Sequence, residues 1–524
     1  MQEIEALLGE KPFPRRQLFI LCICRFAEPV CFTVLFPFMY FMVRDFHVTD
    51  DPNKIPYYVG YIASSFAIAQ FWLPWGYLSD RIGRRPVILM GLVGTITSII
   101  LFGLSQSYMW ALLSRSLCGL LNGNVGVLKS MVAELTVDLS ESQRARAFSL
   151  LPLMFGLGSI LGPMLGGFLN HPVEQFPALF DGRGAFTNFF RHYPYFLPCF
   201  VGGLICFLGL MVGVFFLEET LGGKTEIETL DKMVTESARS PAETIHAPSL
   251  REARRMSQPN YGAMSNADSS PTSTKCVPSR ASSPTPTMTN STPTLRSVLT
   301  KPVLYIVGTY AMVCLQSIIY EELYVIWAAQ PLSSGGLAFT SHQIGISLSI
   351  AGGMTLGVQL LCWPWIQRRL GTLRCFRTAL WVYVIIYFLQ GYIRELINFH
   401  DNVRDNTLVW IALVMALLFK TICSVTVFTS SMILISNSAP SLSTLGTING
   451  FAQCMASGTR AIGPAVGGAL YSWGLAQAWL PWHLRVQVVW LVLALVGFCT
   501  FSLSQKVRAG TFGKGIADDE DEDE

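Results

Sequence analysis

The stretch Gly76-Tyr77-Leu78-Ser79-Asp80-Arg81-Ile82-Gly83-Arg84-Arg85 joins two apolar runs, 57–79 and 86–105. Each run, wound as a helix, is long enough to cross a bilayer. Asp80, Arg81, Arg84 and Arg85 cannot stay in hydrocarbon, so the stretch predicts a tight polar turn at a membrane surface. Gly76 and Gly83 allow close helix approach and chain reversal. The three arginines place the turn on the cytoplasmic side. Asp80 is expected to neutralise one arginine and to cap a helix N-terminus.

The rest of the chain agrees with a membrane setting. Of its 524 residues, 51% are hydrophobic and only 14% charged, against about 25% charged in an ordinary soluble domain. A net charge of +3 argues against a nucleic-acid partner. The 13 cysteines are scattered through apolar runs. Cys22 and Cys24 point roughly 200° apart on a helix, which is wrong for a shared metal, and read as small packing residues. No metal or cofactor site is expected. The first sixteen residues mix Glu3, Glu5 and Glu10 with Lys11, Arg15 and Arg16, and the run that follows is longer than the core of a cleavable signal peptide.

Twelve apolar spans can be drawn: 17–43, 57–79, 86–105, 107–130, 147–169, 194–217, 302–329, 342–366, 374–394, 407–436, 444–472 and 484–504. Each gives roughly 30 Å or more of helix. With both termini in the cytoplasm, the outer loops hold only Arg44, Lys54, Arg183, Arg191, Arg394, Arg404 and Arg485, which is the expected bias. The fold class expected is all-α integral membrane, with twelve helices in two pseudo-symmetric six-helix bundles. The bundles are 17–217 and 301–504, after a cytoplasmic N-terminus (1–16), around a linker (218–300) and before an acidic tail (505–524). From about residue 236 the linker turns to Ser, Thr, Pro and Asn, a composition that predicts disorder. Arg254-Arg255-Met256-Ser257 reads equally as a kinase site or a solvated charge cluster. The Asn290 sequon would lie in the cytosol and stay unmodified.

The halves repeat. Gly158-x-x-x-Gly162-Pro163-Met164-Leu165-Gly166-Gly167 in the fifth span is matched by Gly463-Pro464-Ala465-Val466-Gly467-Gly468 in the eleventh. After the eighth span, Arg368-Arg369-Leu370-Gly371 is a decayed copy of the opening turn, with Arg368 at the place of Asp80. Two related bundles are the pattern of a secondary transporter, with a solute site between the halves near mid-membrane.

Ionisable residues deep in spans are expensive and point to function. Arg25 and Glu28, spaced i, i+3, share a face of the first span, either as a cavity-facing acid or as a self-neutralising pair. Arg115 lies in the fourth span, as a charge that controls a nearby carboxylate or as a structural strut. Glu321 and Glu322 in the seventh differ by about 100°, so either one lines a cavity while the other meets a basic neighbour, or the span ends earlier and both are solvated at the outer mouth. Two close carboxylates can share a proton, which suits a proton carrier. Lys420 and Arg460 are expected to supply the basic partners.

The opening turn resembles the loop signature of the major facilitator superfamily, Gly-x-x-x-Asp-Arg-x-Gly-Arg-Arg/Lys, and every defined position matches. In that family the loop latches the two halves in one state, and Arg115 falls where a fourth-span arginine is tied to proton coupling. The fifth-span run resembles the family's antiporter signature, departing from its longer form at Leu151. Glu134-Leu135-Thr136, Arg144-Ala145-Arg146 and Leu217-Glu218-Glu219-Thr220 resemble the cytoplasmic charge network of related transporters. The first span looks like that of the twelve-span drug:proton antiporter and zinc-induced-facilitator group. The resemblance implies a monomeric, proton-coupled antiporter of a small organic solute in a lipid bilayer. A transporter-like sensor signalling through the central loop, or a facilitator without proton coupling, are the alternatives. No Walker loop, His-Glu-x-x-His or Gly-x-Gly-Asp motif is present, so neither ATP-driven pumping nor intramembrane proteolysis is expected. Glu3-x-x-x-Leu7-Leu8 resembles an acidic dileucine sorting signal, leaving vacuolar and plasma membranes both open.

Overall fold

A computed structural model of the protein describes residues 13–71, 75–136, 139, 141–180, 184–220, 300–399, 407–438, 442–477 and 479–507. The sorting signal, the kinase-site and sequon positions, almost all of the linker and the acidic tail lie outside these residues. Among the described residues there is no strand. Nine helices among the described residues are long and apolar enough to cross a membrane: Arg15–Asp45, Arg84–Gly103, Arg146–Leu169, Phe196–Phe216, Lys301–Ala329, Ser341–Leu370, Thr372–Leu396, Thr407–Asn437 and Leu484–Ser504. The other expected spans are helical too. The second runs Ile55–Phe71 and resumes as Trp75–Ile82, the fourth is Tyr108–Leu121 followed by Asn124–Leu135, and the eleventh is Leu442–Ala476.

Local chemistry sets the breaks. The first span changes segment at Val34 and Leu35, just before Pro37, whose missing N–H suits the first turn of Phe36–Asp45. The fourth span breaks at Asn122 and Gly123, where the backbone becomes extended. A break inside a membrane leaves carbonyls without helical partners. Here Gln70 Nε2 donates to Asn122 O at 2.9 Å and Trp75 Nε1 to Leu120 O at 3.1 Å. Gly123 is needed because a Cβ there would run into the Trp75 ring.

Within each half, the signature glycines zip two helices together. Gly158, Gly162 and Gly166 of the fifth span face Pro29, Thr33 with the Val30 carbonyl, and the Val34 carbonyl of the first. Gly463 and Gly467 of the eleventh face Ile318 and Ile319 of the seventh. Helices approach this closely only where side chains are absent. Pro163 and Pro464 sit inside these helices. The remaining glycine of each run reaches the other half: Gly167 lies against Gly345 of the eighth span, and Gly468 against Pro56 and Gly60 of the second. The fifth span with the eighth, and the second with the eleventh, are the extensive contacts between the halves. Outward faces carry exposed Phe200, Phe207, Phe215, Leu495 and Phe498, as a lipid-facing surface requires.

One expectation needs correction. The turn is shorter than the sequence implied: residues to Ile82 remain helical and reversal occurs at Gly83, with φ +105°. Asp80 does not cap the helix that follows. Glu219 does, with Arg84 N donating to Oε1 at 2.8 Å and Arg85 N to Oε2 at 3.1 Å. Asp80 sits on the helix before the turn, so its carboxylate reaches the Arg84 side chain instead (2.6 Å).

Candidate functional site

Two faces of the molecule behave oppositely. On the face away from the Asp80 turn the halves touch through backbone. A Cβ on Gly167 or on Gly345 would lie 2.9 Å from the other's Cα, and one on Gly60 would lie 2.5 Å from Pro464 O. Polar bonds cross the same seam. Ser341 Oγ donates to Asn170 Oδ1 (2.8 Å), Gln330 Nε2 to Pro52 O (3.3 Å), Ser349 Oγ to Ile160 O (2.9 Å) and Ala465 N to Ser64 Oγ (2.9 Å). Nearer the Asp80 face, a Cβ added to Gly126, Gly353, Gly357, Gly450 or Gly458 would meet nothing within 4 Å. The halves pack closely on one side; on the other, Trp75–Ile82, Asn124–Leu135 and Trp363–Leu370 make their extensive contacts only within their own halves.

Between them lie the ionisable groups. Arg25 Nη1 and Glu28 Oε2 form a buried ion pair at 2.7 Å, so the i, i+3 spacing does bring them together. Arg115 is buried and stacks its guanidinium on Phe66 at 4.6 Å and on Phe32 at 5.0 Å. No backbone carbonyl accepts from that guanidinium among the described residues, which leaves the strut reading without its expected bonds. Cation–π stacking of a desolvated arginine contributes about 2 kcal/mol.

The seventh-span glutamates part as the helical angle requires. Glu321 is exposed and meets Lys420 Nζ at 3.6 Å, with Lys420 also 5.0 Å over the Tyr320 ring. Glu322 is buried, has no hydrogen bond or ion pair among the described residues, and lies within electrostatic reach of Arg115 across the halves. Their helix continues to Ala329, so the pair is not at a frayed end. Arg460 corrects an expectation: it is exposed and has no acidic partner among the described residues. Lys129, passed over by sequence reasoning, is similar. It is exposed and within electrostatic reach of Arg25 and Arg460.

At the Asp80 face, Arg84 is the hub. Its guanidinium meets Asp80 Oδ1 at 2.6 Å, Ser79 Oγ at 2.6 Å and Glu134 Oε1 at 3.0 Å. Thr220 Oγ1 donates to the other Glu134 oxygen at 2.5 Å, and Arg85 Nη2 donates to Val214 O at 2.6 Å. Arg81 stacks on Tyr77 at 4.4 Å. All of these bonds stay within one half, and the Asp80 side chain is 60% exposed. Arg144 and Arg146 are exposed and outside this network. In the decayed copy, Gly371 keeps the left-handed turn (φ +73°), but a Cβ there would meet nothing within 4 Å. The turn is duplicated and its capping carboxylate is not. Among the described residues no group of His, Cys, Asp and Glu could hold a metal.

Comparison with known proteins gives a consistent picture. Residues 21–329 match the profile of the Major Facilitator Superfamily. The major facilitator superfamily multidrug transporter mfsB of Aspergillus fumigatus is 35% identical over 89% of this chain and 80% of its own length. Protein ZINC INDUCED FACILITATOR-LIKE 1 of Arabidopsis thaliana is 27% identical over 92% of this chain and 90% of its own. A solved D-xylose-proton symporter superposes with a TM-score of 0.62 over 96% of this chain and 99% of that one, at 11% identity.

Proposed function

The chain belongs to the major facilitator superfamily and is a multi-pass membrane transporter rather than an enzyme, and from that premise we propose that it is a proton-coupled antiporter of a small organic solute, working by alternating access. The observation that carries the reading is the contrast between the closed and open faces, with Arg115 and Glu322 within electrostatic reach of each other from opposite halves. Only one side offers solute a way in, and charges stranded midway need water, a partner or a proton.

Glu322 is the proton carrier in this reading. Glu28 and Glu321 each have a cation within 4 Å, whereas Glu322 has none that close among the described residues. A carboxylate without a near partner is costly to bury as an anion and cheap as a neutral acid. Arg115 stabilises the ionised form when the halves bring it near. Solute binding and protonation therefore alternate, and each permits the halves to rock about the cavity.

The Asp80 face is read as cytoplasmic, on the arginine bias of its loops. The state described is then inward-open, with Asp80 released from any inter-half latch. The relative named as a multidrug transporter supports efflux or sequestration of drug-like compounds. The test is purified protein in liposomes carrying a pH gradient, screened with organic cations, organic anions and zinc chelates. Solute movement that collapses the gradient supports antiport. Solute movement at an unchanged rate without a gradient, moving no protons, points to a plain facilitator.

A further inference from the structure

The charges between the halves do not balance. Glu28 is answered by Arg25, Glu321 by Lys420, and Glu322 by the nearby Arg115. Lys129 of the fourth span and Arg460 of the eleventh are left over. Neither has an acidic partner among the described residues, and both are exposed. They come from opposite halves and lie within electrostatic reach of each other. Open space adjoins Lys129: Gly126, one turn away on the same helix face, has nothing within 4 Å of an added Cβ.

We propose that Lys129 and Arg460 form an anion site shared between the halves, so that the transported solute carries a carboxylate, sulfonate or phosphate group. The proposal rests on the transporter reading above and names its substrate class. Two like charges facing each other across the cavity oppose closure of that side, and the repulsion grows as water leaves. An anion bound between them reverses the sign of the interaction. The loaded carrier can then close where the empty one resists. Arg460 sits three residues before Gly463-Pro464, so a pull on it acts at the bend of the eleventh span.

The test uses the cavity's own potential, so no substrate need be known. A cysteine is placed at Gly126 in a chain whose exposed Cys362, Cys454 and Cys499, and the linker's Cys276, are changed to serine. The protein is held in phosphatidylcholine nanodiscs, which exclude anionic lipid as the source of any effect. Rates of labelling by sulfonatoethyl and trimethylammoniumethyl methanethiosulfonate are compared, each normalised to a free thiol. The expected result is about a tenfold or greater preference for the sulfonate reagent. Lys129→Gln or Arg460→Gln should reduce that preference, and Lys129→Arg or Arg460→Lys should restore it. Equal normalised rates, a preference for the cation, or a preference indifferent to both glutamine changes would overturn the proposal. Proton-coupled flux is read separately, so its failure would be told apart from failure here.

Discussion

Gly167 and Gly345 meet across the two halves with so little room that a methyl group on either would sit 2.9 Å from the other's Cα. The closed face depends on that contact. Gly167→Val or Gly345→Val should therefore keep it from closing, because a branched side chain cannot be absorbed by backbone. A cysteine at Ser341, which bonds Asn170 across the seam, would then label at least several-fold faster, and solute flux would fall.

The turn at Gly83 has two requirements. Its φ of +105° suits glycine, and a Cβ there would collide with Glu219 Oε2. Gly83→Ala should cost about 1–3 kcal/mol from backbone strain, plus part of the Glu219 cap. Gly371→Ala carries the strain alone, with open space around it. Thermal unfolding in detergent should therefore show the larger drop for Gly83→Ala.

Arg84 is nearly buried and its two carboxylate partners are not equivalent: the Asp80 side chain is 60% exposed and that of Glu134 28%. Asp80→Ala should cut transport while leaving membrane insertion and melting temperature close to wild type, since exposed ion pairs contribute little to stability. Glu134→Gln should lower both, because it withdraws the more buried partner from a buried guanidinium.

Among the carboxylates, Glu322→Gln should abolish flux driven by a pH gradient yet permit solute exchange. Glu28→Gln should instead impair folding, because Arg25 would be left buried and uncompensated, at roughly 3–5 kcal/mol. Expression with normal stability for Glu28→Gln, or wild-type coupling for Glu322→Gln, would reverse the roles given to them. Glu321→Gln should loosen Lys420 with a smaller effect on coupling.

Much of this architecture can be read along the chain because membrane helices declare themselves by length and hydropathy. The seventh span, expected at 302–329, is Lys301–Ala329, and the tenth, expected at 407–436, is Thr407–Asn437. The Arg25–Glu28 pair follows from local spacing alone. What escapes is long-range. Glu219 caps a helix that begins 135 residues earlier, and nothing between them signals the contact. Lys129, near the end of span 107–130, comes within electrostatic reach of Arg460 of the eleventh span only through the fold. The glycine runs announce close packing but not their partners, so the division between glycines that zip one half and the glycine that crosses to the other appears only in three dimensions.

The most direct measurement of the central claim is a pair of distances by pulsed electron paramagnetic resonance. Spin labels at Arg146 and Arg369 span the open face, and labels at Phe176 and Ser333 span the closed one; all four positions are exposed. Glu322→Gln imitates the protonated carrier. It should shorten the Arg146–Arg369 distance and lengthen the Phe176–Ser333 distance in the same sample, as the halves rock about the cavity. Distances that shift together, or that ignore the charge at Glu322 altogether, would contradict proton-gated alternating access.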